Sequence, residues 1–227
     1  MERHRDQELT VIRDDMLRMG GMVEEMIDFA NGALVKRDDG LVDRVIEMDP
    51  EIDRLEKRID ERCLEILARH QPMATDLRFL VAVMKMTNDL ERMGDSAVNI
   101  VQAVRVVNQE PPLKPYIDLP RMADWTRDMV HDSLDAFVER DNELARKVIA
   151  RDDRIDDLYR QLFRELVTFM IENPKNVNRS LHLLLIARNL ERIADHATNV
   201  SEDVIYYVEG RDIRHGGEQK KASETAS

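Results

Sequence analysis

One cysteine, Cys63, stands in 227 residues. That excludes an internal disulfide and a Cys-rich zinc site, and it suits a reducing compartment. Gly and Pro are scarce at 8 and 7, which favours helices. Aromatic residues make up only 4%, which leaves the core to aliphatic side chains and Met. Long apolar runs are missing too. Leu181 to Ala187 is broken by His182, far short of the ~20 residues that span a bilayer. The opening MERHRDQELT carries no apolar signal segment, and the expected location is the cytoplasm. There is no Gly-rich phosphate loop, no G-x-S-x-G and no Cys-His zinc pattern. Positive charge is in deficit: 34 Lys and Arg against 46 Asp and Glu leave −12. That argues against nucleic acid or anionic lipid as general partners.

What is present is charge, methionine and helical rhythm. Charged residues are 35% of the chain and Met occurs 13 times. Leu9, Ile12, Met16, Met19, Val23, Met26 and Ala30 predict a first helix to about residue 37, with Gly20-Gly21 a place for it to bend. Leu41, Val45, Met48, Ile52, Leu55, Ile59, Cys63 and Ile66 predict a second, ended at Gln71-Pro72. A third runs from about 74 to 107. Three prolines in NQEPPLKPYID (108–118) mark a linker, and the plan returns at about 119–139, 141–172 and 176–209. The expected fold is all-α: two tandem three-helix antiparallel bundles. Residues 1–108 form the first, 109–118 the Pro-rich linker, 119–209 the second, and 210–227 a polar, disordered tail.

The two halves are copies. LERMGDSAVNI (90–100) and LERIADHATNV (190–200) share six of eleven positions. LVDRVIEMDPEIDRL (41–55) and LARKVIARDDRIDDL (144–158) share seven of fifteen at an offset of 103. The same offset pairs Met22 with Trp125 and Met26 with Met129. It falls to 100 after the second helix, where the copies differ by three residues in a loop.

Carboxylates recur four apart, on one helix face. Glu91 and Asp95 are matched by Glu191 and Asp195; Asp49 and Asp53 are matched by Asp152 and Asp156. Each pair on a second helix lies about as far before the turn as its partner pair lies after it, roughly 30 Å at 1.5 Å per residue. Antiparallel helices therefore bring the two pairs to one height. Each pair also follows the apolar stripe by one position, at the rim of a helix–helix groove. Four converging carboxylates repel one another without a counter-charge. All-oxygen ligands suit Mg, Mn or Fe better than zinc. The plainer reading is that these acids are solvated or paired to Arg54, Arg92, Arg188 and Arg192. Asn99 and Asn199, one turn further on, either support the ligands or are surface amides. His196 sits beside Asp195 but is Ser96 in the first copy, and reads as a surface histidine. His70, His131 and His182 read as structural. Cys63, Trp125 and the Met stripes read as packing.

RHQPMATDLR (69–78), TNDLERMGDSAVNI (87–100), the second LERIAD and the opening HRDQELTVIRDDMLRMGGMVEEM resemble the PhoU phosphate-uptake regulator family. The resemblance spans about residues 4–209. It implies two PhoU repeats, frequent homodimers and metal held by E(D)-x-x-x-D pairs. Here those are Asp49, Asp53, Glu91 and Asp95, then Asp152, Asp156, Glu191 and Asp195. The second copy lacks the Q-P-M-A-T-D-L-R loop and has Ala194 for Gly94, so unequal occupancy is expected. The implied role is an accessory of the phosphate ABC transporter. It links the transporter ATPase to a membrane sensor histidine kinase and restrains phosphate-starvation genes, without enzyme activity. Two alternatives stay open on the residues alone. One is a metal-dependent all-α hydrolase of the nucleotide pyrophosphohydrolase kind, which favours E-x-x-E and E-x-x-D spacing. The other is a metal-free helical scaffold. A ferritin-like di-iron site is excluded, because no Glu has His three residues later.

Overall fold

The computed structural model describes residues 2–211, with side chains from residue 7. Among the described residues there are six α-helices: α1 (Glu2–Lys36), α2 (Asp39–His70), α3 (Thr75–Val107), α4 (Asp118–Glu139), α5 (Asn142–Glu172) and α6 (Val177–Glu209). A 3₁₀ turn, Pro174–Asn176, joins α5 to α6. No strand occurs among the described residues. Of the tail expected to be disordered, all but Gly210 and Arg211 lies outside the described residues.

The first turn of each repeat is built by the same chemistry. Arg37 and Arg140, 103 positions apart, both take the left-handed conformation, φ 56° and 53°. The next residue, Asp38 or Asp141, sends its backbone N–H to Ala33 or Ala136. Its carboxylate then accepts from backbone N–H groups of the following helix, from Gly40 or from Glu143 and Leu144. The second turns differ. Gln71 reverses the first through φ 46°; Asn173 makes the other by accepting from the Lys175 N–H. This is the loop where the sequence loses three residues.

α1 packs on α2 and α3, α4 on α5 and α6, and α3 packs along α6. The α3–α6 contact is antiparallel. Arg78 reaches the Tyr207 carbonyl, Lys85 meets Asp203, and Asp89 meets His196. α1 also touches α4. There Gly20 lets α1 in close, because a Cβ would lie 2.1 Å from Leu134 Cδ1; this close approach is a packing role that the expected bend did not include. The buried residues of both repeats form one continuous core. Phe79, Phe137 and Tyr207, from α3, α4 and α6, cluster with ring centroids 5.6 to 6.1 Å apart. The linker is pinned to both repeats. Arg37 donates to the Asn108 and Glu110 carbonyls, Arg179 to the Pro111 carbonyl, and Lys114 pairs with Glu165. Cys63 is buried as expected. Trp125 is not: it stays 37% exposed, with the Arg121 guanidinium over its ring.

Candidate metal centres

The α1 side of α2 is marked by Arg58 on Asp15 and Glu51 on Arg18. At about 100° per residue the row Asp49, Asp53, Glu56 and Asp60 falls on the opposite edge of α2. Glu91 and Asp95 of α3 share that patch, as the mutual charge effects show. Asp49 is pushed above the usual carboxylate range by burial, then by Asp53 and Asp95. Glu91 is raised by burial and then by Asp95; Arg92 pulls it back, and Glu56 and Asp53 push it up again. The four acids read from the first repeat therefore converge, and Glu56 and Asp60 lengthen their row. The signal for these two was available, since they form another E-x-x-x-D pair in EKRID (56–60).

The second repeat gathers its four acids in a drier setting. Asp152 is pushed up to about 6 by burial, then by Asp195, Asp156 and Asp153. Glu191 is raised by burial and Asp195, countered by Arg188, and raised further by Asp156 and Asp152. Asp195 is raised by burial and Asp156, against Arg188, His196 and Arg192. Offset by 103, Glu56 and Asp60 become Tyr159 and Phe163. The second row is thus shorter and bounded by aromatic rings, with Arg188 lying over Tyr159.

Arginines neutralise these patches only in part. Arg188 meets one Glu191 oxygen at 2.5 Å and Arg160 meets Asp156 at 2.8 Å. Arg92 stands 3.5 Å from Glu91 and 4.0 Å from Asp95, at the weak end of ion pairing. Arg54 turns instead to Glu51 and the Pro50 carbonyl. Among the described residues, no cation comes within ion-pair distance of Asp49, Asp53, Asp152 or Asp195.

Three carboxylate oxygens beside these rows are buried without a donor: Asp60 Oδ1, Asp152 Oδ1 and Glu191 Oε2. Glu191 as a whole is only 7% exposed. A buried anionic oxygen with no partner is costly, and a hard cation is the partner that acceptor-only groups can take. The donor chemistry therefore fits Mg, Mn or Fe. Among the described residues, however, no three His, Cys, Asp or Glu side chains are already drawn into a coordinating set. Each patch is a convergent negative field with loose donors, and closure would rest on the exposed aspartates, Asp95 and Asp195.

The neighbouring polar residues divide. Asn99 is an exposed amide. Asn199 donates to Asp89 at 3.3 Å. His196, read as a surface residue, is part-buried and lies 2.7 Å from the same Asp89 oxygen. His196 and Asn199 thus join α6 to α3 rather than supplying a ligand. His70 meets Glu8, His131 meets Glu24, and His182 meets the Asn178 carbonyl.

The family model described as the PhoU domain matches this chain twice, at residues 16–104 and 119–204. The chain belongs to the PhoU family. Each matched PhoU segment contains one complete group of four acids. A phosphate-specific transport system accessory protein PhoU homolog of Pseudomonas putida is 43% identical over 218 residues, covering 96% of this chain and 85% of the relative. The homolog of Aquifex aeolicus is 44% identical over 209 residues, covering 92% and 95%. The crystal structure of PhoU from Pseudomonas aeruginosa superposes with a TM-score of 0.88 at 40% identity, over 91% of this chain and 99% of that one. Two PhoU repeats and an all-α fold are therefore established, and among the described residues no helix is long and apolar enough to cross a membrane.

Proposed function

We propose that this PhoU-family chain is a metal-binding accessory of a phosphate-specific transport system. It acts in the cytoplasm as an adaptor that tempers phosphate import and represses phosphate-starvation signalling. Its partners are the transporter ATPase, a membrane sensor histidine kinase and a second copy of itself. The relatives' names support the transport role. The metal reading rests on one observation: the carboxyl oxygens Asp152 Oδ1 and Glu191 Oε2 are buried and without a donor, inside a group of four acids. Asp49, Asp53, Glu91 and Asp95 would hold metal in the first repeat; Asp152, Asp156, Glu191 and Asp195 in the second. Bound Mg, Mn or Fe would neutralise each patch and fix α2 to α3 and α5 to α6, stiffening the surface that partners meet.

The role is non-enzymatic. Acids four apart differ from the E-x-x-E and E-x-x-D spacing that the hydrolase reading favours.

Deleting the gene and assaying alkaline phosphatase in ample phosphate tests the regulatory role. Derepression is expected, reversed by the wild-type gene and not by one carrying Asp95→Ala and Asp195→Ala. Unchanged repression in the deletion would overturn the reading. Elemental analysis of the purified protein separates the metal-binding adaptor from a metal-free scaffold.

A further inference from the structure

The second repeat has a groove, of about 440 Å³, between α4 and α5. That lies in the range of small-molecule sites, ~300–1,000 Å³. Met129 and Ile155 line it with apolar surface, and the exposed indole of Trp125 forms a wall. The first repeat supplies an internal comparison, because every groove residue has a counterpart 103 positions earlier. Met129 and Ile155 correspond to Met26 and Ile52, so the apolar surface is kept. Asp132 and Arg151 correspond to Phe29 and Met48, which pack against the core in the first repeat. An apolar plug has been exchanged for the Arg151–Asp132 ion pair.

The rim changes sign as well. Glu51 of the first repeat, held by Arg18 and Arg54, becomes Arg154. Asp28 becomes His131. The other charges lining the groove are satisfied: Asp128 by Arg127, Asp132 by Arg151, and His131 by Glu24 and Asp135. Arg154 alone has no partner among the described residues. In a chain of net charge −12, that leaves an uncompensated guanidinium beside the partly exposed indole, over which Arg121 also lies.

We propose that this groove is a binding site for a planar ring carrying one anionic group. The ring lies against Trp125 over Met129 and Ile155, and the anion meets Arg154. A single free guanidinium selects one anionic group over a polyphosphate. Both a nucleoside monophosphate and an aromatic carboxylate have this chemistry, and the test distinguishes them.

Trp125 is the only tryptophan, so its fluorescence reports on the groove directly. Full-length protein in chelator, which removes any contribution from the acidic sites, is titrated with adenosine monophosphate, indole-3-acetate, adenosine and inorganic phosphate. Calorimetry checks the affinities. Saturable binding is expected for at least one ring anion, with adenosine and phosphate each at least tenfold weaker. The tighter ring anion identifies the source. Arg154→Gln, at an exposed position, should weaken binding about tenfold or more, the worth of one charge-assisted pair. Asp132→Phe with Arg151→Met restores the first repeat's plug and should abolish it. Melting curves on both variants establish that they are folded. The proposal is overturned if neither ring anion binds below ~1 mM, if adenosine or phosphate binds as tightly as the ring anion, or if affinity survives in folded Arg154→Gln.

Discussion

Asp152 on α5 and Glu191 on α6 each bury a carboxylate oxygen that no donor reaches, and the Asp152 charge helps push Glu191 toward its protonated form. Without metal this arrangement opposes folding at neutral pH. Asp152→Asn should therefore stabilise the metal-free protein at pH 7, by about 1 kcal/mol after discounting for solvent screening, or roughly 2–4 °C in melting temperature. The same change should remove tight metal uptake by the second repeat. Thermal melts with and without Mn, alongside calorimetric titration, read both effects.

The pH dependence has a definite sign. Asp152 titrates near 6 when folded, against ~3.9 for a free aspartate. A raised carboxylate pKa contributes stability that is complete below the unfolded value and lost as pH rises through the folded one. Asp49, Glu91, Glu191 and Asp195 are shifted the same way. Metal-free protein should accordingly be more stable toward urea at pH 5 than at pH 7. Saturating Mn should flatten or reverse that trend, because protons and metal compete for the same oxygens.

The two acidic groups should bind unequally. The second is more desolvated and holds two of the orphaned oxygens; the first is longer and wetter, with Glu56 and Asp60 added. Calorimetry with Mn should resolve a tight class and a weaker one. Asp152→Ala with Asp195→Ala should remove the tight class, and Glu91→Ala with Asp95→Ala the weaker. Loss of both classes from either pair would mean one shared site.

Two adjacent glycines should respond in opposite ways. A Cβ on Gly20 collides with Leu134, whereas a Cβ on Gly21 meets nothing within 4 Å. Gly20→Ala should cost about 1–3 kcal/mol through overpacking. Gly21→Ala should gain about 0.5–1 kcal/mol from the better helix former. Chemical denaturation of the two single variants checks the contrast.

The sequence carried much of this, and its omissions have one physical source. Helix count, turns and the eight acids follow from periodicity within a helix and from duplication between halves. What periodicity cannot supply is which helix lies opposite. His196 looked like a surface residue because its first-repeat counterpart is Ser96; its partner Asp89 is 107 positions earlier. Trp125 looked like packing because a large apolar side chain stands at helical spacing, yet it shares its groove with Asp132 and Arg151, where the first repeat has Phe29 and Met48. Duplication predicts the two tandem bundles; what neither repeat signals by itself is that α3 packs against α6 and joins their interiors into one apolar core. The Arg160–Asp156 pair, by contrast, carries a local signal in its i,i+4 spacing.

Phe79, Phe137 and Tyr207 tie the repeats together at one end of α3 and α6, and the cations Arg13 and Arg140 sit over the Phe79 and Tyr207 rings. A severed half would leave these rings facing water. Fragments cut in the linker should therefore be insoluble when produced singly and should re-form the native molecule when produced together. On that outcome, the duplication that created this chain left two copies that each need the other to be complete.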